Sequence, residues 1–395
     1  MRFRHRIVRN ILCAILKPYS YFKYGFRVKR FKEQEKRPYL ILLNHQTPFD
    51  QFFVGMAFKG PVYYLASEDL FSNGWVSSLI RYLVAPIPIK KQTTDIKAIL
   101  NCIRVAKEGG TIAIAPEGNR TYSGRTEYMS PSIVALARKL GLPIALYRLE
   151  GGYGVQPRWS DVVRRGKMRG YVSRVISPEE YANLTDDELF AIIQNGLYVN
   201  EAQLDGEFRH RKCAEYLERA VYVCPFCGLS EFHSEGALVT CKSCGKQIRY
   251  LPTKELEGIG FEFPFRFFAE WYDYQASYIN RLDLVANPDT LFYEDKTDVY
   301  EVVLYKNKKP ILREATVSLF GNRILICGDG QELVLPFDEI SATTVLGKNK
   351  LNVYHGDRIY QFKGNKRLNA LKYVHFYHRY RNALKGDPHG EFLGL

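Results

Sequence analysis

The sequence predicts an α/β domain with a mixed or parallel sheet, followed by a small cysteine-bound module and a β-rich domain that a helix closes. Strand-like apolar segments alternate with amphipathic helices up to about residue 220. Two CxxC pairs follow within residues 224–245. From about residue 297 the apolar period changes to two, with Gly, Asn and Asp turns between short strands. A chain of 395 residues is also too long for one ordinary core.

We therefore expect five segments along the chain. In order, they are a basic amphipathic arm (1–30), an α/β domain (31–220), a metal-binding module (221–252), an aromatic-rich linker (253–290) and a β-rich domain with a closing helix (291–387). The aromatic residues at 261–279 are most typical of packing in a core or at a domain interface, and contact with a membrane interface is the second interpretation.

The α/β domain is predicted from apolar strands and from helices with recognisable ends. The helix at 93–110 has Thr94 as its N-cap, which is a residue type that accepts a hydrogen bond from the first turn. The helix at 130–141 begins with Ser130 as N-cap and ends at Gly141, a residue that tolerates the left-handed conformation common after helices. The strand segments around these helices are 38–44, 61–67, 84–90, 111–118 and 142–151.

The basic charge of the chain is concentrated at its beginning. Residues 1–40 contain twelve Lys/Arg and two Glu, which places +10 of the net charge of +14 in the first tenth of the sequence. The apolar run at 11–16 is too short to span a bilayer, which needs about 20 apolar residues, and it lacks the cleavage site of a signal peptide. Basic residues interleaved with apolar ones favour a helix lying on an anionic membrane surface. The alternative is a helix packed on its own domain with a solvated basic face. Nucleic acid is not expected as a partner, because no recognition motif accompanies the charge.

The eight cysteines indicate a reducing compartment and one metal site. Four are isolated in the sequence and suggest no secreted disulfide framework: Cys13, Cys102, Cys213 and Cys327. The other four, Cys224, Cys227, Cys241 and Cys244, form two CxxC pairs separated by thirteen residues. Four thiolates make a closed tetrahedral site, which Zn²⁺ favours, so we predict a structural zinc with no catalytic role. The segment resembles a zinc ribbon. A mononuclear iron site and a redox CxxC are the alternatives.

The stretch LILLNHQTPFDQF places His45 and Asp50 where a buried strand ends. With Thr47 as N-cap and Pro48 as the first helical residue, Asp50 would be the third residue of a helix and would turn back toward the preceding loop. The imidazole could then donate one N–H to the carboxylate and keep its other nitrogen as a base. The alternative is that Asp50 only caps the helix and favours its dipole.

A second motif, IAIAPEGNRTYSGR, follows at residues 112–125. Gly118 lets backbone approach a ligand closely, and Arg120 is a forked donor that suits a phosphate. Arg125 is expected to add positive charge in the same place. The alternative is an ordinary turn between strand and helix with solvated charges.

The two motifs, in this order and about 70 residues apart, resemble those of the glycerolipid acyltransferases, the lysophosphatidic-acid-acyltransferase-like enzymes. Two weaker blocks agree. Residues 87–91 are similar to the second block of the family, although Ala85 stands where the family has glycine and Lys91 where it has arginine. Residues 142–152, centred on Pro143, are similar to the fourth block. The resemblance covers about residues 30–215.

This resemblance implies transfer of an acyl group from acyl-CoA or acyl carrier protein to the hydroxyl of lysophosphatidic acid, without an acyl-enzyme and without a catalytic cofactor. It implies that His45 is the general base and that Asp50 orients it. The residues that would hold the acceptor's glycerol phosphate are Lys91, Glu117, Gly118 and Arg120. A peripheral or monotopic position on the cytoplasmic face of the cell membrane fits such substrates, because both are delivered from a bilayer.

The C-terminal segment resembles a pleckstrin-homology-like domain in its element order, which is short strands followed by a closing helix at about 366–384. Lysines in the loops at 305–310 and 347–351 could meet anionic headgroups, although such residues are usually only solvated. Two alternatives to lysophosphatidic acid acylation remain. One is another lysophospholipid acceptor. The other is a catalytically weak scaffold that recruits partners to the membrane.

Overall fold

The structure is a computed structural model that describes residues 3–33, 38–89, 96–303, 306–387 and 393. Its first part is an α/β domain with a seven-stranded sheet. The strands are β1 (Phe26–Val28), β2 (Leu40–Leu43), β3 (Val62–Ser67), β4 (Ile87–Ile89), β5 (Thr111–Ile114), β6 (Ile144–Glu150) and β7 (Met168–Ile176). The helices are α1 (Phe3–Tyr24), α2 (Asp50–Ala57), α3 (Gly74–Val84), α4 (Ile96–Lys107), α5 (Ser132–Leu140), α6 (Gly152–Val155), α7 (Pro178–Ala182) and α8 (Asp186–Leu197).

The sheet has the strand order β1-β7-β6-β2-β5-β3-β4. Every neighbouring pair is parallel except β6 and β7, which are antiparallel, so the sheet is mixed, as the alternation of strands and helices predicts. In the central strand β2, all four side chains are buried, because Ile41 and Leu43 belong to the apolar cluster on one face and Leu40 and Leu42 to that on the other. The continuous apolar run is therefore the mark of a strand covered on both faces.

Two predicted elements differ from the observed ones at their ends. The segment 84–90 was expected to be one strand, but Val84 ends α3 and the strand β4 begins only at Ile87. Helix α5 begins at Ser132, with Pro131 in the N-cap position instead of Ser130, while Gly141 ends it in the left-handed conformation as predicted. The predicted N-cap Thr94 lies outside the described residues.

The N-terminal segment is joined to the α/β domain more closely than an arm would be. Strand β1 lies within the predicted arm, yet it is the edge strand of the sheet and pairs with β7. In α1, the guanidinium of Arg9 donates to the carbonyls of Gly55 and Phe58 at the end of α2. A hydrogen bond of 2.9 Å joins Nδ1 of His5 to the hydroxyl of Tyr63. Helix α1 is thus fixed on the domain by polar contacts.

A small β region follows the α/β domain. It contains β8 (Val223–Cys224), β9 (Gly228–Leu229), β10 (Phe232–Glu235), β11 (Leu238–Cys241), β12 (Gln247–Tyr250) and β13 (Leu256–Gly258). Strands β8 and β9 form a hairpin, and β10 to β13 form an antiparallel sheet in sequence order. The segment 253–290, predicted to be a linker, instead completes this sheet with β13 and then forms helix α9 (Phe268–Asn280), in which Trp271 is fully buried.

The C-terminal part is β-rich and ends in a helix, as predicted. Its strands are β14 (Leu291–Glu301), β15 (Lys309–Phe320), β16 (Arg323–Gly328), β17 (Gln331–Pro336), β18 (Ile340–Leu346), β19 (Lys350–His355) and β20 (Arg358–Gly364). They form one antiparallel sheet in the order β17-β16-β15-β14-β20-β19-β18. The closing helix α10 (Leu371–Leu384) packs against β18 and α9.

One apolar cluster connects the three parts. It extends from Tyr122, Tyr153 and Trp159 of the α/β domain through α9 to the inner face of the C-terminal sheet. The segments predicted as separate domains therefore share buried surface. Among the helices of the described residues, none is long and apolar enough to cross a membrane.

Candidate active site

The candidate active site lies where β2 and β5 end. These two strands are parallel neighbours, with Leu40 opposite Ile112, so their carboxyl ends meet at one edge of the sheet. Asn44 and His45 come directly after β2, and Glu117 comes three residues after β5. Ligands of α/β sheets bind at this edge, because the loops that leave the strands converge there.

Asn44 anchors the loop that presents His45. Its side-chain amide donates to the carbonyl oxygen of Leu149 at 2.8 Å and accepts from the backbone N–H of Leu149 at 2.7 Å. Asn44 thereby continues the pairing of β2 with β6 for one residue beyond the strand. No role for Asn44 was predicted from the sequence, although its position in the Asn-His motif could have suggested one.

His45 and Asp50 form a hydrogen-bonded pair. His45 Nδ1 lies 2.8 Å from Oδ2 of Asp50, and the imidazole is 25% exposed while Asp50 is buried. The Asp50 carboxylate also accepts from the backbone N–H groups of Gln46 (2.7 Å) and Thr47 (3.0 Å) and from the Thr47 hydroxyl (2.6 Å). The carboxylate therefore contacts the imidazole and closes the loop at the same time, and the orienting role of Asp50 stays a prediction.

The predicted start of α2 is wrong by two positions. The helix begins at Asp50 itself, and Phe49 occupies the N-cap position without a side-chain cap. Thr47, the predicted N-cap, uses its hydroxyl in a tight turn that accepts from the Phe49 N–H at 3.2 Å and donates to Asp50. Because the carboxylate already receives the loop's N–H groups, the turn does not need the threonine as a helix cap.

Glu117 holds the backbone of His45. One carboxylate oxygen accepts from the His45 N–H at 2.7 Å and the other from the Glu127 N–H at 2.8 Å. The carbonyl of His45 in turn accepts from the Thr121 N–H at 3.0 Å. Burial raises the pKa of the Glu117 carboxyl well above its usual range, although the two N–H donors oppose this shift. Both oxygens are thus occupied by backbone donors, and contact with the acceptor stays a prediction for this residue.

Gly118 supplies the turn after Glu117. Its φ of 70° lies in the left-handed region, and its N–H donates to the Ala115 carbonyl at 2.9 Å. A Cβ at this position would meet no described atom within 4 Å, so open space lies in front of the backbone. The approach of a ligand to the backbone of Gly118 stays a prediction from the sequence.

Arg120 points to the C-terminal domain. The residue is 8% exposed, and its Nη2 donates to the carbonyl of Gly347 at 3.1 Å, in the turn between β18 and β19. Within the described part of the chain, no hydrogen-bond partner reaches its other terminal nitrogen, Nη1. Burial, together with the charge of Arg158, lowers the pKa of Arg120 to about 10, while Asp50 opposes the shift. The backbone N–H of Thr121, the next residue in the chain, donates to the His45 carbonyl at 3.0 Å, so Arg120 lies beside the loop that presents His45.

Arg158 connects the two domains at this point. It is fully buried, stacks on the Tyr122 ring with 4.2 Å between the guanidinium carbon and the ring centroid, and donates to the carbonyl of Arg120 at 2.8 Å. It also donates to the carbonyls of Val345 (2.7 Å) and Gly347 (3.2 Å) in the C-terminal domain. Arg158 was not predicted as a site residue, because nothing in its local sequence indicates a contact almost 190 positions away.

Lys348 lies in the same turn and pairs with a carboxylate of the α/β domain. Its Nζ is 2.6 Å from Asp161, which also receives the guanidinium of Arg219 at 2.9 Å. Burial raises the pKa of Asp161, but hydrogen bonds from Arg219 and Lys348 outweigh this and lower it to about 2. The loop lysines at 347–351 were expected to face solvent or an anionic headgroup, and Lys348 instead lies in the interface beside Arg120.

One of the expected positive charges makes its contact elsewhere. Arg125 pairs with Asp273 of α9 and so contributes to the interface with the aromatic-rich segment. Lys91 lies outside the described residues. Of the residues predicted to surround the acceptor phosphate, the structure therefore brings together Glu117, Gly118 and Arg120 near His45.

The four paired cysteines form a candidate metal centre far along the chain from this site. All four Sγ atoms lie within 4.8 Å of one another, with 3.7 Å between Cys224 and Cys244 and 3.6 Å between Cys227 and Cys241. A tetrahedral ion with metal–sulfur bonds of about 2.3 Å separates its sulfur ligands by about 3.8 Å, so the cluster fits a four-thiolate metal site. Hairpins β8–β9 and β11–β12 present the two pairs.

Comparisons with known proteins agree with the motifs of the first half of the chain. Residues 26–146 match the family model described as Acyltransferase. The chain is 23% identical over 194 residues to the 1-acyl-sn-glycerol-3-phosphate acyltransferase BAT2, chloroplastic, of Brassica napus, which covers 47% of this chain and 54% of that protein. It is also 23% identical over 146 residues to the 1-acyl-sn-glycerol-3-phosphate acyltransferase of Bacillus subtilis (strain 168), which covers 37% of this chain and 70% of that protein.

The chain thus spans about half the length of the Brassica relative. Among solved structures, the 1-acyl-sn-glycerophosphate (LPA) acyltransferase PlsC of Thermotoga maritima aligns with a TM-score of 0.41 and 20% identity, over 49% of this chain and 80% of that one. The family match begins at β1 and ends in β6, and it includes both the His45–Asp50 and the Glu117–Arg120 segments. The match over residues 26–146 therefore indicates an acyltransferase enzyme.

Proposed function

We propose that the chain transfers a fatty acyl group from acyl-CoA or acyl carrier protein to the hydroxyl of lysophosphatidic acid. The observation that carries this proposal is the pair of His45 Nδ1 and Asp50 Oδ2 at 2.8 Å, at the edge of the sheet where the acyltransferase match predicts the chemistry. The names of the Brassica and Bacillus relatives support the same acceptor, a 1-acylglycerol 3-phosphate.

In this reaction His45 acts as a general base. With the Nδ1 hydrogen donated to Asp50, the lone pair of the ring is on Nε2, which takes the proton of the acceptor hydroxyl as the oxygen attacks the thioester carbonyl carbon. The C–S bond of the tetrahedral intermediate then breaks, and His45 returns the proton to the leaving thiolate. Such proton transfer contributes about 10²–10⁴-fold to a rate. No protein nucleophile and no catalytic cofactor takes part.

We assign the acceptor phosphate to the region of Gly118 and Arg120. The open space at Gly118 lets a ligand approach the backbone, and Arg120 has one terminal nitrogen without a described partner. Lys91 and Glu117 belong to the same proposal, with the difference that Glu117 already holds the backbone of His45. A lysophospholipid with another headgroup is the alternative acceptor for this site.

For the four-cysteine cluster we propose a structural zinc ion, with iron as the alternative. Four thiolates fill a tetrahedral coordination sphere and leave no position for a substrate, so the ion would hold the β8–β13 region together. A sheet of this size has too small an apolar core to be stable alone, which supports a structural role.

We also propose that α1 docks the enzyme on the cytoplasmic face of the cell membrane. Five large apolar side chains point outward from α1 at helical spacing, and they are exposed: Phe3, Ile7, Ile11, Ile15 and Phe22. The helix contains five Lys/Arg and no acidic residue, so it suits an anionic surface. A peripheral position on the bilayer brings the site to both lipid substrates.

An acceptor panel tests the proposed reaction. The purified chain is incubated with labelled acyl-CoA and equal amounts of lysophosphatidic acid, lysophosphatidylglycerol, lysophosphatidylcholine and lysophosphatidylethanolamine, and the lipid products are identified. We expect phosphatidic acid as the main product. If another lysophospholipid is acylated at least tenfold faster, the acceptor assignment is wrong, and if none is acylated with either donor, the proposed activity is wrong.

A further inference from the structure

Helix α3 has an unusual distribution of buried and exposed residues. Its sequence is GWVSSLIRYLV, and the only buried residue among its eleven is Ser77. Trp75 is 76% exposed, and Leu79 and Tyr82 are exposed on the same face, at helical spacings of four and three. A helix of a soluble domain normally buries its apolar stripe and exposes its polar residues, so α3 has the reverse arrangement.

The buried serine explains how α3 is held. The Ser77 hydroxyl donates to the Leu70 carbonyl at 2.7 Å and accepts from the Asn73 N–H at 2.9 Å. Asn73 also forms an isolated β-bridge with Asn307 of the C-terminal domain. Polar contacts thus fix the inner side of α3, and its exposed apolar side chains gain little from packing within the chain.

Helix α3 lies beside α1, which has the same reversed arrangement. The Arg4 guanidinium stacks over the Tyr82 ring at 4.1 Å and donates from Nε to the Tyr82 carbonyl at 3.1 Å. Phe3 and Ile7, the neighbours of Arg4 on α1, are exposed as well. The two neighbouring helices therefore both expose apolar side chains, and groups of such residues mark interaction sites, unlike single exposed apolar residues.

We propose that α3 inserts together with α1 into the interfacial layer of an anionic phospholipid bilayer, with Trp75 and Tyr82 at the level of the headgroups. Charge selects this occupant, because the two helices contain six Lys/Arg and no Asp or Glu. At eleven residues α3 is too short to span a bilayer and long enough to lie in its interface. Tryptophan and tyrosine are the residues enriched at this depth. This proposal goes beyond the docking of α1 described above. If α1 alone contacted lipid, the exposed face of α3 would remain in water.

Tryptophan fluorescence can test the position of α3 directly. The chain has three tryptophans, of which Trp159 and Trp271 are fully buried, so lipid-dependent changes in emission report on Trp75. We expect vesicles of phosphatidylcholine with phosphatidylglycerol to shift the emission to shorter wavelength, and brominated lipids to quench it. The variant Trp75→Phe should lose both responses. An unchanged Trp75 emission on vesicles that bind the protein would overturn the proposal.

Binding measurements with matched variants give the second part of the test. Leu79→Asp should weaken binding to the anionic vesicles about tenfold or more, because it replaces an inserted apolar side chain by a charge of the wrong sign. Leu384→Asp, at the exposed end of α10, is the control and should bind like the unmodified chain. Equal binding of the two variants would contradict the insertion of α3.

Two further measurements distinguish insertion of α3 from dimer formation and from a loss of activity. Analytical ultracentrifugation without lipid should show the same mass for the unmodified chain and for Leu79→Asp. A dimer that Leu79→Asp dissociates would make the α3 face an interface between copies and would overturn the proposal. Acyl transfer to a soluble short-chain acceptor should proceed at the same rate in Leu79→Asp as in the unmodified chain. If the proposed reaction is wrong, neither protein will acylate this acceptor. If only the insertion of α3 is wrong, both proteins will acylate it.

Discussion

Asp50 and Glu117 both use their carboxylates on the loop that presents His45. Asp50 receives the imidazole and the N–H groups of two loop residues, and Glu117 receives the N–H of His45 itself. Asp50 begins the helix that follows β2, and Glu117 lies in the turn that follows β5, so the position of the base depends on the register of these two strands. This arrangement makes His45 the exposed member of an otherwise buried polar network.

Replacing Glu117 by Gln should lower kcat and leave the KM for the acceptor nearly unchanged. The glutamine amide has one acceptor oxygen, whereas the Glu117 carboxylate has two, one for each backbone N–H. The hydrogen bond to the N–H of His45 or that to the N–H of Glu127 is therefore lost. We expect kcat to fall about tenfold or more, with a loss of about 1–3 kcal/mol of stability. Steady-state kinetics against the exposed control Glu108→Gln checks this. A rise in KM at constant kcat would show instead that Glu117 contacts the acceptor.

Ala85 adopts a left-handed conformation, with φ of 44° and ψ of 56°, at the end of α3. The family block that this segment resembles has a glycine at this position, and the conformation explains why, since a Cβ here costs about 1–2 kcal/mol. Ala85→Gly should therefore stabilise the chain slightly, by up to about 1 kcal/mol after the entropy of glycine is counted. Thermal unfolding measures the change. Ala98→Gly, inside the right-handed α4, is the comparison and should be destabilised; a lower Tm for Ala85→Gly would contradict the explanation.

At the scale of helices and strands, the sequence predicts the positions of the strands and the type of sheet. It does not predict which helix faces lie in contact with other parts of the chain. The apolar run 38–44 predicts β2, and each side chain of Leu40–Leu43 is buried on one face of the sheet or the other. Helix α3 has no such signature, since its apolar residues do not face the core. The segment 253–290 was predicted to be a linker whose aromatic residues are most typical of packing in a core or at a domain interface, and Phe268, Trp271 and Tyr272 of α9 are indeed buried. Periodicity thus identifies elements that pack in the ordinary way.

The β8–β13 region should depend on its metal ion. Cys241→Ser removes one of the four thiolates and should reduce bound zinc or iron from about one equivalent to a small fraction, with a clear drop in Tm. Because Trp271 of α9 donates to the Val223 carbonyl beside Cys224, the loss should extend to α9. Elemental analysis and thermal unfolding measure both effects. Cys327→Ser, an exposed isolated cysteine, is the control, and equal metal content in the two variants would contradict the assignment.

At the scale of the whole molecule, the C-terminal domain contacts residues of the candidate acceptor site. The turn between β18 and β19 accepts hydrogen bonds from both Arg120 and Arg158 through the carbonyl of Gly347. The sequence indicates Arg120 as a phosphate ligand, because it belongs to a short motif. It gives no indication of Gly347, which is 227 positions away and joins the site only through the packing of two domains. The part of the site within one domain is therefore predictable from motifs, and the part between domains is not.

Lys348→Ala should weaken binding of an anionic acceptor although the residue lies in the C-terminal domain. The substitution removes a positive charge near Arg120 and breaks the contact with Asp161 that holds the turn. We expect the KM for lysophosphatidic acid to rise about fivefold, with kcat changed less than twofold, as a loss of about 1 kcal/mol implies. Lys363→Ala, an exposed lysine of β20, serves as the control. If the two variants have the same KM, the C-terminal turn does not contribute to the acceptor site.

The most direct test of the proposed mechanism is the rate of acyl transfer from labelled acyl-CoA to lysophosphatidic acid by His45→Ala, at saturating concentrations of both substrates. His45 is partly exposed, so the variant should keep its fold, which circular dichroism and thermal unfolding verify. We expect a rate about 10²–10⁴-fold below that of the unmodified chain. A variant that folds normally and retains the full rate would contradict the assignment of His45 as the general base.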